Sequence, residues 1–235
     1  MPNSSLLNTA IVLRNIVLQT IIQDVGANPD AVVIWLHGLG DEGASFVSAI
    51  PYLKLPSSLQ VRFVFPTAPV RSVTINNGMM MRSWYDIKAM LPKRVIDDEQ
   101  LKESVASVNA IIAEQVASGI QAERIIVVGF SQGGAVCYEV GLSSALALNG
   151  IAAMSTYMPR EFSSGECLAN RALNILTIHG EYDDVVPCAL GRAAQSQLQS
   201  LGFANAWHTF DMAHEVSVPS LTLLGEWITN NLTGE

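Results

Sequence analysis

The stretch Arg124-Ile125-Ile126-Val127-Val128-Gly129-Phe130-Ser131-Gln132-Gly133-Gly134 limits this chain more than any other. An apolar, β-branched run enters a G-x-S-x-G pentapeptide, and a helix-forming run, Ala135-Val136-Cys137-Tyr138-Glu139-Val140, leaves it. A serine caught between a strand and a helix must turn sharply, and the flanking glycines permit the close backbone contact that such a turn needs. Its Oγ is then exposed at a helix N-terminus, where backbone N–H groups and the helix dipole favour developing negative charge. A plain glycine-rich turn with an N-capping serine is the competing account of these five residues. The strand before and the helix after weigh against it.

The remaining elements follow from periodicity. Ile11 to Gln23 reads as one or two opening strands, ended by the turn Gly26-Ala27-Asn28-Pro29-Asp30. Ala31 to Leu36 is a continuous apolar run of the kind covered on both faces, and it stops at His37-Gly38-Leu39-Gly40-Asp41. A short helix over Ser45 to Tyr52 and a strand over Val61 to Phe65 follow. Thr67 to Asp97 reads as a long irregular connection, a length that is uncommon unless it serves a site. Helical spacing returns from Asp98 to Ser118, with Leu101, Val105, Val108, Ile111, Ile112 and Val116 on one face. Strands near Ile151–Ser155, Asn174–Ile178 and Ala206–Phe210 and helices near Ala189–Leu201 and Pro219–Leu232 complete the chain. Strands alternating with helices predict an α/β fold with a doubly wound, mostly parallel sheet and helices on both faces. With no repeat, linker or shift in composition, a single domain over 1–235 is the simplest organisation, the 1–30 strand region being its least regular part.

Composition narrows the partners. Lys and Arg total 13 against 21 Asp and Glu, a net charge of −8, which disfavours nucleic acid and anionic membrane surfaces. With 49% hydrophobic and 14% charged residues the chain can bury a large core. Cys137, Cys167 and Cys188 are odd in number and far apart, so they read as reduced thiols, with Cys137 in the core. The start lacks a signal-peptide pattern, and no run reaches the ~18 apolar residues of a membrane span. A cytoplasmic protein is the expectation.

In open parallel sheets chemistry sits at the carboxyl ends of strands, which tests the four histidines. His208 lies inside a predicted strand, while His37 and His179 each precede a glycine and read as turn-fixing residues. His214, between the last strand and the last helix, is the best placed base. The loop Glu181-Tyr182-Asp183-Asp184 offers the acid, and the order serine, acid, histidine is that of an α/β-hydrolase triad. Position alone leaves Asp183 and Asp184 equal.

Five motifs in register, His37-Gly38-Leu39-Gly40-Asp41, Arg82-Ser83-Trp84-Tyr85-Asp86, Gly129 to Gly134, His179-Gly180-x-x-Asp183 with Val186-Pro187, and His214, resemble the acyl-protein thioesterase and carboxylesterase family, small lysophospholipase-like α/β-hydrolases without a large lid domain. The resemblance runs from about Ala31 to the last helix. It implies Asp183 as the acid, giving a catalytic set of Ser131, Asp183 and His214, and it places one oxyanion-hole N–H at Leu39 beside that of Gln132. It also implies hydrolysis of acyl esters or thioesters through an acyl-enzyme, with no cofactor and no metal. Substrates on this reading are small acyl esters, lysophospholipids or acylated proteins, and no stable insertion into a membrane is implied. Met80, Met81, Trp84 and Val186 are the sequence candidates for an apolar acyl groove, since methionine adapts to varied apolar shapes. Packing of the methionines under their own loop is the equal alternative. A non-catalytic binding protein on the same scaffold, or a peptidase, is the second reading. The oligomeric state is open, a homodimer through the apolar loop being compatible.

Overall fold

The computed structural model describes residues 17–90, 94–166 and 170–234. Expectations that fall on 1–16, including the first part of the opening strands, and on Cys167 lie outside these residues. Seven strands form the central sheet. They are β1 (Gln19–Val25), β2 (Ala31–Leu36), β3 (Val61–Thr67), then β8 (Ile125–Phe130), β9 (Gly150–Met154), β10 (Asn174–Gly180) and β11 (Asn205–Phe210), in the spatial order β1-β3-β2-β8-β9-β10-β11. Every pairing from β3 to β11 is parallel, and β1 runs antiparallel to β3 at one edge. The four remaining strands, β4 (Val70–Val73), β5 (Met79–Arg82), β6 (Ile87–Ala89) and β7 (Val95–Ile96), lie outside the sheet. The helices are α1 (Asp98–Ala117), α2 (Gln132–Ser143), α3 (Cys188–Ser200) and α4 (Val218–Thr233).

Alternation along a strand explains why both faces are apolar. Val32, Ile34 and Leu36 of β2 pack with residues of α1, α2 and α3, whereas Ala31, Val33 and Trp35 pack on the other face with Phe46, Leu53 and α4 residues Leu221, Leu224 and Ile228. A strand covered twice has no solvent side, and so reads as an unbroken apolar run. The helix expected over Ser45 to Tyr52 is a 3-10 segment, Gly43–Leu53, with Pro51 inside it. Proline removes an N–H and holds φ, which disfavours a regular α-helix there.

The expected irregular connection after Thr67 carries more order than its sequence announces. β4 and β5 pair antiparallel across a turn with Asn77 and Gly78 at φ 55° and 75°, and β6 pairs with β7. Asparagine and glycine supply the positive φ values that a tight hairpin requires. These two ribbons stand over the carboxyl ends of β2, β3 and β8, and they bring residues 82–86 against the elbow.

Candidate active site

Ser131 holds φ 53° and ψ −119°, a conformation that L residues rarely adopt. The surroundings enforce it. Ser131 N–H donates to Met154 O at 2.9 Å, and Ser131 O accepts from Gly134 N–H at 2.9 Å and from Thr156 Oγ1 at 2.6 Å. The glycines allow the approach: a Cβ at Gly129 would stand 2.3 Å from Gly133 O, and one at Gly133 would stand 2.5 Å from both Leu36 O and His37 O. Only hydrogen fits between the elbow and the end of β2.

The three residues that chain order and resemblance single out lie in one hydrogen-bonded line. His214 Nε2 is 2.8 Å from Ser131 Oγ, and His214 Nδ1 is 2.8 Å from Asp183 Oδ2. The Asp183 side chain is fully buried, and its other oxygen accepts from Val186 N–H at 2.7 Å and Val185 N–H at 3.1 Å. Those two amides hold the carboxylate so that Oδ2 faces the imidazole. Asp184, its neighbour, is exposed. The His214 ring lies 4.9 Å from that of Phe130, which limits its swing.

His37 and His179 serve structure, and His208 is exposed on β11. His37 Nδ1 lies 2.7 Å from Gly38 O, and its Nε2 accepts from Ala68 N–H at 3.0 Å, so the ring is a neutral link between the loop after β2 and the end of β3. His179 Nε2 lies 2.8 Å from Val186 O, which closes the turn that presents Asp183, and the ring packs on Trp207. Its Nδ1 has no hydrogen-bond partner and lies where a Cβ on Gly191 would touch it, at 2.4 Å. Burial lowers the pKa of both rings below the ordinary 6.5. Above pH 6.5 the native and unfolded chains both hold these rings neutral. As pH falls below it, the unfolded chain takes up protons that the native state refuses, so stability declines until the native rings protonate. The urea midpoint should therefore fall between pH 7 and pH 5. A flat midpoint over that window would contradict the neutral assignment.

Leu39 is half-buried in the loop after β2, at the cavity that also contains Ser131, Gln132 and His214. A Cβ on Gly38 would lie 3.4 Å from the Ser131 Cβ, so this loop abuts Ser131, while Gly40 turns it with φ 81°. Gln132 is the first residue of α2, and an N–H there has no acceptor within its own helix. Leu39 and Gln132 thus border the same cavity as Ser131 from two elements.

The Arg82 to Asp86 motif acts as a brace. Gln132 Oε1 accepts from Trp84 N–H at 2.9 Å, and Gln132 Nε2 donates to Tyr85 O at 2.6 Å. Trp84 Nε1 donates to His37 O at 2.8 Å, Gly40 N–H donates to Arg82 O at 2.8 Å, and Ser104 Oγ of α1 donates to Trp84 O. One buried segment therefore ties the elbow, the loop after β2 and α1 together. The side-chain role of Gln132 escaped the sequence reading, which used only its backbone. Gln132→Leu keeps that N–H but leaves Trp84 N–H without its acceptor, at about 1–3 kcal/mol for a buried group, while Tyr85 O keeps the donor Ser83 Oγ at 2.7 Å. Thermal denaturation should show the loss, with kcat reduced as well. An unchanged melting temperature would remove the brace from the account.

The cavity beside Ser131 has a volume of about 350 Å³, and its apolar wall comes from residues such as Ile75, Ile87, Met90, Phe130, Tyr157 and Val186. Val186 is thus part of it, but Met80, Met81 and Trp84 are not. Met80 projects from β5 into solvent, 62% exposed, and Met81 packs beside Asn76 and the Gly40 turn. Trp84 is fully buried because its indole N–H is needed behind the loop at His37. The groove expected from these three side chains is built instead by residues that fold back from both ribbons and from the ends of β8 and β9. Among the described residues no group of three or more His, Cys, Asp or Glu is arranged to hold a metal ion, and no helix is long and apolar enough to cross a membrane.

Comparison with known proteins agrees with this geometry. The family model for phospholipases and carboxylesterases matches residues 19–232. The chain is 34% identical over 199 residues to acyl-protein thioesterase 1 of Gibberella zeae, covering 80% of this chain and 85% of that one. It is 32% identical over 223 residues to acyl-protein thioesterase 1 homolog 1 of Dictyostelium discoideum, covering 94% and 99%. The crystal structure of SOBER1 from Arabidopsis thaliana superposes with a TM-score of 0.79 at 32% identity, over 86% of this chain and 99% of the other.

Proposed function

This chain belongs to the phospholipase/carboxylesterase family and is an α/β-hydrolase, a serine hydrolase of the esterase and thioesterase class, and from that premise we propose that Ser131, His214 and Asp183 perform its acyl transfer. The line of 2.8 Å contacts from Ser131 Oγ through His214 to Asp183 is the observation that carries this reading. In the acylation step Ser131 Oγ attacks the carbonyl carbon and His214 Nε2 takes its proton. Asp183 holds the ring with Nδ1–H towards Oδ2, so Nε2 is free to accept. The tetrahedral oxyanion is received by the N–H groups of Leu39 and Gln132, fixed dipoles that need no reorganisation as charge develops. Collapse expels a thiol or alcohol that takes the proton from His214. Water, deprotonated by the same ring, then releases the acid and restores Ser131.

The apolar walls suit an acyl chain, and the likeness to acyl-protein thioesterases supports an acylated protein as substrate, with small esters and lysophospholipids as further members of the class. Cys137 and Cys188 are free thiols, which supports a reducing compartment and hence the cytoplasm. The test is hydrolysis of p-nitrophenyl esters from acetate to palmitate alongside matched acyl thioesters, with fluorophosphonate labelling of Ser131. Turnover with a defined chain-length optimum is expected. No turnover on any member and no labelling would overturn the reading in favour of a binding protein on this scaffold.

A further inference from the structure

One cation in the cavity has no assigned role. Arg94, just before β7, lines the same space as Ser131 and His214. Its guanidinium carbon lies 3.5 Å from the centroid of the Tyr157 ring, and the Tyr157 hydroxyl is bonded to that of Tyr85 at 2.6 Å. Arg94 Nε reaches only the soft Sδ of Met90, at 3.5 Å. Nη1 is shut off from solvent and has no hydrogen-bond partner among the described residues. Arg62, Arg71, Arg124 and Arg160 are each paired with a carboxylate, whereas Arg94, like Arg82, Arg171 and Arg192, makes no such pair among the described residues, and of these four it is Arg94 that lines the cavity. In a chain of net charge −8, this leaves a guanidinium without a carboxylate partner among the described residues in the cavity beside Ser131, whose wall also includes Asp41.

Burying a charged donor without a partner is unfavourable, and the unfavourable part is removed when an anion supplies the missing acceptor. A guanidinium stacked on an aromatic ring keeps its plane fixed and directs its N–H groups sideways, in the fork that matches the paired oxygens of a carboxylate or phosphate. We propose that Arg94 forms an anion subsite within the catalytic cavity, so that preferred substrates carry a carboxylate or phosphate group besides the scissile acyl bond. This rests on the hydrolase reading above and deepens it: the cavity then selects polar-ended as well as purely aliphatic substrates. Tyr157 supplies the platform, and buried Ile87 adds apolar surface beside it.

Selectivity within matched pairs tests this, because a ratio is insensitive to the fraction of a variant that folds. kcat/KM would be compared for p-nitrophenyl hydrogen glutarate against p-nitrophenyl valerate, where the anion is on the acyl part. A second pair, 4-acetoxybenzoate against methyl 4-acetoxybenzoate, puts it on the leaving group. Inhibition by inorganic phosphate is the third arm. In wild type at least one arm should favour the anion, and Arg94→Met should reduce that preference about tenfold or more, with Arg94→Lys retaining part of it. The responding arm identifies which half of the substrate carries the charge. Ratios and phosphate inhibition unchanged by Arg94→Met would overturn the subsite while leaving the hydrolase intact. If wild type turned over neither the neutral nor the anionic esters and took no fluorophosphonate label, the hydrolase reading itself would fail. Titration of the Ser131→Ala protein with glutarate would then decide the subsite alone, Arg94-dependent binding supporting it and its absence overturning it.

Discussion

Replacing Ser131 with alanine is expected to lower kcat for p-nitrophenyl butyrate by a factor on the order of 10⁴ to 10⁶, the range seen when the nucleophile of a serine triad is removed. The fold should be unaffected. Among the described residues Ser131 Oγ is hydrogen-bonded to His214 alone, and the strained backbone at this position is held by Met154, Gly134 and Thr156 through main-chain atoms that alanine retains. A melting temperature within a degree or two of wild type, together with loss of fluorophosphonate labelling, would place the defect in chemistry. A loss of less than tenfold would mean that Ser131 is not the nucleophile, and that the line of hydrogen bonds serves only to fasten the last loop.

The second large effect should come from Asp183→Asn, about 10⁴-fold in kcat. An asparagine preserves shape and can still accept from Val185 and Val186 through its carbonyl oxygen. Its NH₂ then faces His214 Nδ1, where Oδ2 stood 2.8 Å away. An imidazole presented with a donor turns its lone pair towards it and leaves N–H pointing at Ser131 Oγ. The ring is then the wrong tautomer to act as base. Asp184→Asn is the control, because Asp184 is exposed and outside the hydrogen-bonded line. Steady-state kinetics on both variants should separate them by several orders of magnitude. Equal effects would deny Asp183 its particular part.

The two carboxylates also show where a sequence stops being informative. Ser131 and His214 are legible because each stands just after a strand, where α/β sheets collect their chemistry. Asp183 and Asp184 share that position, and what separates them is burial: Asp183 turns inward under the amides of Val185 and Val186, and Asp184 turns out. No periodicity encodes that choice within a four-residue turn, so it came from resemblance. The parallel sheet was equally readable, since runs such as Ala31–Leu36 are apolar on both faces. The wall of the cavity beside Ser131 was not. Met80, Met81 and Trp84 look like groove residues by type, yet a two-stranded ribbon sends one methionine into solvent, and the indole is consumed by a hydrogen bond to His37 O. Arg94 gave no signal at all, because an isolated arginine gains meaning only from the tyrosine it covers and the carboxylate it lacks.

The positive φ of Ser131 has a consequence for timing. Backbone held in so sparsely populated a region costs on the order of 1–3 kcal/mol, and here the glycine contacts and the Thr156 hydrogen bond sustain it in the free protein. The free energy of aiming Oγ is therefore spent once, when the chain folds. On the proposed mechanism each substrate afterwards meets a nucleophile already pointed at it, and binding energy remains available for the carbonyl itself. Relief of that torsion belongs to unfolding and has no place in the catalytic cycle, so the site should be as sharply formed at rest as at work.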